Sequence, residues 1–204
     1  MAYSDFTLDS VEKVLGVNLQ QGVLFESVDS LEVPPWLQEA LRKGMQLALL
    51  SEKVRSELIV MPILLTCREL CGNRFAIYSG ERLDVDPERG LVGQCDFILT
   101  TTPPFPMLKS PIVTIVEAKN QYIEGGLGQC AAQMVGARLF NQNGGKEPAT
   151  IYGCVTTGEA WQFLRLDGTT IVIDRNRYYI DNVGTILGVF QAIIASCEPD
   201  SVAA

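Results

Sequence analysis

The chain of 204 residues contains no histidine. This absence excludes Ser–His and Cys–His catalysis and any acid–base chemistry by imidazole. The six cysteines are scattered, and none forms a Cys-x-x-Cys pair, so a zinc site is not expected. Any catalysis must therefore depend on carboxylates, lysine, tyrosine or a bound metal ion.

The sequence also lacks a long apolar run and an excess of positive charge. Without about eighteen consecutive apolar residues, no transmembrane helix is expected. The N-terminus has no basic region followed by an apolar one, which predicts a cytoplasmic protein with no signal peptide and no membrane partner. The net charge of −8 counts against broad, sequence-independent binding of nucleic acid. It still allows a small site whose own charge is offset by a metal ion.

What remains is typical of one globular domain over residues 1–204, since 47% of the residues are hydrophobic and 20% are charged. The helix and strand patterns along the chain predict an α/β class. We expect an N-terminal helix and arm over 1–35, a core over 36–156, and a hairpin with a C-terminal helix over 157–197. The predicted first helix is Thr7–Leu15, and a short strand is expected near Val23–Phe25. A long helical region from Pro34 to Leu70 should kink or break at Pro62, because proline removes a backbone donor.

Strand patterns dominate the second half of the core. The predicted strands are Arg74–Val85, Leu91–Leu99, Ile112–Lys119 and Ile151–Thr156, and a hairpin joins Trp161–Leu166 to Thr170–Asp174. A glycine-rich segment, Gly125–Gly128, predicts a flexible entry to a helix over Gln129–Asn141. This helix would connect two parallel strands in a βαβ unit. A buried helix over Val183–Cys197, capped by Asn182, and a frayed polar tail over 198–204 complete the expectation.

Two apolar strands carry charged residues where a buried strand should have none. Asp96 lies within Leu91–Leu99, and Glu117 and Lys119 end the following strand. Side chains alternate faces along a strand, so Glu117 and Lys119 project together. Two carboxylates and an amine that converge on one sheet face predict a divalent-metal site. The alternative is an ordinary sheet-edge ion pair between Glu117 and Lys119.

Gln129 and Gln133 are i,i+4 neighbours on the helix that follows Lys119, so they share one helix face. A glutamine amide can hydrogen-bond a phosphate, a base or a water on a metal ion. The alternative is a pair of surface or capping residues.

Four short motifs carry a resemblance to a known superfamily. They are Ser-Glu-Lys-x-Arg-Ser-Glu (51–57), Val-Glu-Ala-Lys (116–119), Gly-Leu-Gly-Gln-Cys-x-Ala-Gln-Met (126–134) and Val-Thr-Thr-Gly-Glu-x-Trp-Gln-Phe (155–163). Together with the order of the elements, they resemble the PD-(D/E)XK nuclease superfamily, in particular a branch of uncharacterised bacterial proteins. The resemblance implies a restriction-endonuclease-like core, α-β-β-β-α-β, with a mixed sheet flanked by helices. Cys95 departs from it, since the motif usually has proline there.

The resemblance also implies roles for individual residues. Asp96 and Glu117 match the metal-binding acids, and Lys119 matches the catalytic lysine. Glu57 matches an acid that the first core helix brings to the metal, with Glu52 and Glu69 as second choices. The other interpretation of Glu57 is a solvated residue paired with Lys53. The backbone carbonyl of Ala118 is a further expected metal ligand, and either Gln129 or Gln133 matches a glutamine found in some branches.

The implied function is Mg²⁺- or Mn²⁺-dependent hydrolysis of a phosphodiester, with DNA as the implied partner. The metal ion would polarise the phosphoryl oxygen and acidify a water near Asp96, Glu117 and Lys119. Two alternatives stay open: an inactive nuclease-fold protein that serves as a binding or scaffold module, and a hydrolase of a smaller phosphate ester. A homodimer is possible, since dimers are common among soluble proteins.

Overall fold

The structure, a computed structural model, describes residues 1–146 and 148–197. Its helices are Leu8–Leu15 (α1), Pro35–Gly44 (α2), Glu52–Arg55 (α3), Met61–Leu70 (α4), Glu124–Asn143 (α5) and Val183–Ser196 (α6). Its strands are Asn18–Gly22 (β1), Ala76–Ser79 (β2), Phe97–Thr100 (β3), Ile112–Ala118 (β4), Thr150–Thr156 (β5), Ala160–Asp167 (β6), Thr170–Asp174 (β7) and Tyr178–Tyr179 (β8). Among these described residues, no helix combines the length and the apolar character needed to cross a membrane.

The strands form one open, mixed sheet in the order β1-β7-β6-β5-β4-β3-β2, and β8 pairs with β6 beside β7. The pairs β4–β5 and β1–β7 are parallel, and the other neighbours are antiparallel. One apolar core, which includes residues of α1 and α5, covers one face of the sheet. A second core, with residues of α2, α4 and α6, covers the other face. The predicted α/β class, with a mixed sheet between helices, is confirmed.

The centre of the sheet is the unit β4–α5–β5. All seven residues of β4 are buried, as expected for a strand covered by helices on both faces. Its parallel partner β5 pairs Glu117 with Val155 and Ala118 with Thr156. The predicted βαβ connection and the predicted β6–β7 hairpin are both present. The C-terminal ends of the parallel strands β4 and β5 and the start of α5 therefore lie close together at the same end of the sheet.

The helical region does not break at Pro62, which was one of the two outcomes predicted for this residue. The helical region is interrupted at residues 45–51 instead, and from Glu52 it continues to Leu70 through a π-helical turn over Ser56–Val60. The Met61 N–H donates to the Ser56 carbonyl, five residues earlier. This wider turn accommodates a proline at the next position, because the ring needs room and contributes no donor. The break at residues 45–51 begins after Gly44, the last residue of α2. Gly44 packs closely on the π turn, since an added Cβ would lie 2.9 Å from the Leu58 carbonyl oxygen.

The prediction of a flexible glycine-rich entry to α5 was wrong. Gly125 to Gly128 belong to the first turns of the helix itself. A Cβ on Gly126 would lie 2.7 Å from a methyl group of Val155, and one on Gly128 would overlap the Phe6 carbonyl oxygen. These glycines allow close packing, so tertiary contacts override their low helix propensity.

Three smaller predictions differ from the structure. The early strand lies at Asn18–Gly22, not at Val23–Phe25, because its backbone pairs with β7. The first predicted core strand is shorter, Ala76–Ser79, and only isolated bridges continue the pairing. Asn182 makes no side-chain cap for α6, and its amide oxygen instead lies 3.5 Å from the Ser30 hydroxyl. The predicted frayed tail lies outside the described residues.

Candidate metal and phosphate site

Three predicted residues meet at the end of β4. Glu117 is the last residue but one of this strand, and Lys119 directly follows it. Asp96 directly precedes β3, where Phe97 pairs with Val116 of β4. The Ala118 N–H donates a hydrogen bond of 2.7 Å to Asp96 Oδ2, which joins the two strand ends. The fold therefore brings Asp96, Glu117 and Lys119 together, as the sequence predicts.

Both glutamines of α5 contact Glu117. Gln129 Nε2 donates to Glu117 Oε1 at 2.5 Å, and Gln133 Nε2 donates to Glu117 Oε2 at 3.0 Å. Lys119 Nζ donates to Glu117 Oε1 at 2.9 Å and to Gln129 Oε1 at 3.0 Å. Gln133 is fully buried, so it is neither a surface residue nor a cap. Its Oε1 atom has no hydrogen-bond partner among the described residues.

Burial raises the pKa of Glu117 to about 7, and the nearby Asp96 carboxyl adds to this effect. Burial also raises the pKa of Asp96, although hydrogen bonds from the Ala118 amide and with the Glu117 carboxyl lower it in part. Burial alone would lower the pKa of Lys119, but the Glu117 carboxylate outweighs this and the pKa is raised. The site therefore holds a charged amine beside two buried carboxyls, and the Asp96 carboxyl disfavours the ionisation of Glu117.

A cavity of about 420 Å³ opens at Asp96 and is lined by residues of α3, the π turn and the ends of β2 and β3. The predicted ligand Glu57 lines it, but its side chain is 60% exposed and lies 3.9 Å from Lys53. Glu52 lines it too, and its charge acts on both Asp96 and Lys119. Of the two helix glutamates, Glu52 is thus the one whose charge influences the pKa values of Asp96 and Lys119.

One sequence signal favours Glu52. Ser51 caps α3 by accepting a hydrogen bond from the Val54 N–H, which fixes Glu52 in the first turn. A serine directly before a charged helical run is a common helix start. The predicted helical region began at Pro34 and had no interruption before Pro62, so the prediction overlooked this helix start.

The donor set fits a hard divalent cation. No group of three or more His, Cys, Asp or Glu side chains within residues 1–146 and 148–197 is arranged to hold a metal ion. Mg²⁺, however, is commonly held by one or two carboxylates together with several waters. Asp96 and Glu117 supply two carboxylates, and Gln133 Oε1, unpaired within the described part of the chain, is a buried neutral oxygen beside Glu117. Such adjacent acids are stabilised either by a proton or by a cation.

No protein-family model matches the chain, and no curated protein sequence matches it significantly.

Proposed function

We propose that this protein is a Mg²⁺- or Mn²⁺-dependent phosphodiester hydrolase related to the PD-(D/E)XK nucleases. The observation that carries the proposal is the environment of Glu117: a buried carboxyl with a pKa of about 7, in contact with Lys119, Gln129 and Gln133 and beside Asp96. Perturbed acids beside an amine and a cavity are typical of functional sites. DNA is the proposed substrate and the cytoplasm the proposed location.

The fold supports the same proposal. The helical segment Glu52–Leu70 is followed by β2, β3, β4, α5 and β5, and these four strands are neighbours in the sheet. We infer that this part is a restriction-endonuclease-like core, to which the β6–β7 hairpin and α6 are added. In this interpretation, Asp96, Glu117 and Lys119 occupy the positions that the superfamily uses for chemistry.

Asp96 and Glu117 would hold the metal ion, with the Ala118 carbonyl and either Glu52 or Glu57 as further oxygen donors. When bound, Mg²⁺ or Mn²⁺ would polarise a phosphoryl oxygen and lower the pKa of a coordinated water. Lys119, fixed by Glu117 and Gln129, keeps its charge and would stabilise negative charge that develops on the phosphate. Gln129 holds this lysine in place, and Gln133 orients the Glu117 carboxylate.

A cleavage assay with single variants tests this function. Purified protein is incubated with linear, supercoiled and single-stranded DNA in Mg²⁺ or Mn²⁺. Lys119→Ala should abolish cutting, while the matched control Lys109→Ala should cut like wild type, because Lys109 lies over the Phe105 ring in the loop before β4. Equal cutting by wild type and Lys119→Ala would show that the nuclease is a contaminant.

A second candidate is a non-catalytic binding or scaffold module with the same fold. Two observations favour it: both oxygens of Glu117 already accept hydrogen bonds from side chains of the protein, and the net charge is −8. Such a module would bind neither Mg²⁺ nor Mn²⁺ in a calorimetric titration, and it would retain a protein partner when captured. Saturable Mn²⁺ binding that depends on Asp96 would argue against it.

A further inference from the structure

The cavity at Asp96 continues into a smaller one. The larger cavity, of about 420 Å³, and the smaller one, of about 150 Å³, share the lining residues Ser56, Glu57, Ser79 and Phe97. The larger cavity reaches Asp96 and Glu52, whereas Met61 lines only the smaller one. Together they form one cleft, which we call the Met61 cleft, between the π turn and the ends of β2 and β3. Its size suits one small ligand group.

The two ends of the Met61 cleft differ in chemistry. The Asp96 end is rich in oxygen ligands, as a phosphate and its cation require. The other end is lined by Met61, Ser56 and Ser79, which offer a thioether and two hydroxyls. Phe97, also at this end, is only 1% exposed, so its ring belongs to the core beneath the cleft. A polarisable thioether adapts to flat aromatic groups. A planar, polar-edged ring attached to a phosphate matches both ends.

Charge argues against a duplex at this cleft. Its lining holds three carboxylates, Glu52, Glu57 and Asp96, but a single amine, Lys53, and Glu57 lies 3.9 Å from that amine. Binding along a duplex backbone relies on many cationic contacts. A base that is paired inside a duplex also cannot enter a cavity of this size.

We propose that the Met61 cleft is a subsite for one unpaired nucleobase next to the phosphate at Asp96, so that the substrate is single-stranded nucleic acid. This inference rests on the proposed function, because Asp96 and its cation define where the phosphate lies. The base contacts Met61 through its face, and its edge faces Ser79.

Direct binding tests the subsite without relying on activity. Fluorescence anisotropy is measured with a labelled single-stranded oligothymidylate and with a hairpin-closed duplex of equal length, using Ca²⁺ as the divalent ion and a gel to verify that the probes are intact. Wild type should bind the single strand about tenfold more tightly than the duplex. Met61→Trp, which fills the cleft, should weaken single-strand binding about fivefold or more.

Leu65→Trp is the matched control, because it introduces the same ring one turn along α4 at a residue that is 42% exposed and does not line either cavity. Its affinity should equal that of wild type. If Met61→Trp fails to fold, Ser79→Phe at the exposed end of β2 fills the same cleft. Duplex binding as tight as single-strand binding, or full affinity in the cleft variants, would overturn the subsite.

The results of these experiments distinguish a failure of the proposed subsite from a failure of the proposed function. Wild type that binds Mn²⁺ but neither oligonucleotide would refute the subsite alone. Wild type that also binds no Mn²⁺ and cuts no DNA would refute the proposed function as well.

Discussion

Opposing electrostatic influences act on the ionisation of Glu117. Burial and the Asp96 carboxyl favour its protonated form, while Lys119 and Gln133 favour the charged form. The net result is a pKa of about 7, above the ordinary value of 4.5. The folded state therefore binds this proton more tightly than the unfolded state, and stability is lost as the pH rises between these two values.

Replacing Glu117 by glutamine should stabilise the protein at about pH 8. The amide carries no charge to bury. Gln133 Oε1, which has no hydrogen-bond partner among the described residues, can turn to accept its N–H. We expect the free energy of unfolding to rise by on the order of 1–3 kcal/mol at pH 8, with little difference near pH 4. Chemical denaturation at several pH values measures this, and an equal or lower stability of Glu117→Gln at pH 8 would contradict it.

The neighbours of Glu117 should move its pKa in opposite directions. Asp96→Asn removes a nearby negative charge and should lower the pKa from about 7, whereas Lys119→Met removes a positive charge and should raise it. The carboxyl ¹³C resonance of Glu117, followed by NMR across the pH range, reports both shifts. Shifts of the same sign in the two variants would show that the charges do not act on Glu117 as described.

Most of the site residues could be predicted from the sequence, because acids in apolar strands contradict the burial pattern around them. The structure brings Asp96, Glu117, Lys119, Gln129 and Gln133 together. The helix acid could not be chosen in the same way. Exposed helical glutamates such as Glu52 and Glu57 both obey the pattern for solvated positions, so the burial pattern does not distinguish them. The Ser51 cap is the local signal that favours Glu52.

At the scale of elements, α5 shows why glycine was misinterpreted. A run of glycines normally indicates a flexible turn. In α5, the glycines instead allow β5 and the segment before α1 to approach closely, and this contact information is absent from local sequence. The strands β4 and β5 were predictable, because a continuous apolar run of this length has few other structures available.

Two alanine substitutions in α5 test this explanation as a matched pair. Gly125→Ala should stabilise the protein by about 0.5–1 kcal/mol, because its Cβ would meet nothing within 4 Å and alanine favours a helix. Gly128→Ala should destabilise it by about 1–3 kcal/mol, because its Cβ would overlap the backbone of Phe6 and Thr7. Thermal unfolding of both variants and of wild type measures these changes in stability. Similar effects of the two substitutions would show that the segment is not closely packed.

The helix from Glu52 to Leu70 illustrates a second limit of sequence patterns. Pro62 predicts a kink or a break, yet the helix continues through it after a π turn. A π turn inserts one extra residue and therefore shifts the helix face, which no regular 3.6-residue period can anticipate. This shift belongs to the turn that contributes Ser56 and Glu57 to the Met61 cleft.

At the scale of the whole molecule, the net charge of −8 limits how nucleic acid can be bound. Lys53 lines the Met61 cleft and Lys119 contacts Glu117, so the site itself offers two cations to phosphates. The logarithm of the single-strand binding constant should then fall with the logarithm of salt concentration with a slope no steeper than about −2. Anisotropy titrations at several salt concentrations measure the slope. A slope of about −5 would require a cationic surface elsewhere on the molecule.

The most direct test of the site is a calorimetric titration of Mn²⁺ into wild type and Asp96→Asn at about pH 6 and pH 8. Since the cation requires ionised Glu117, whose pKa is about 7, wild type should bind about tenfold more weakly at pH 6 than at pH 8. Asp96→Asn should bind weakly at both pH values. Wild type that binds no Mn²⁺ at pH 8, or binding that Asp96→Asn leaves intact, would contradict a cation site built from Asp96 and Glu117.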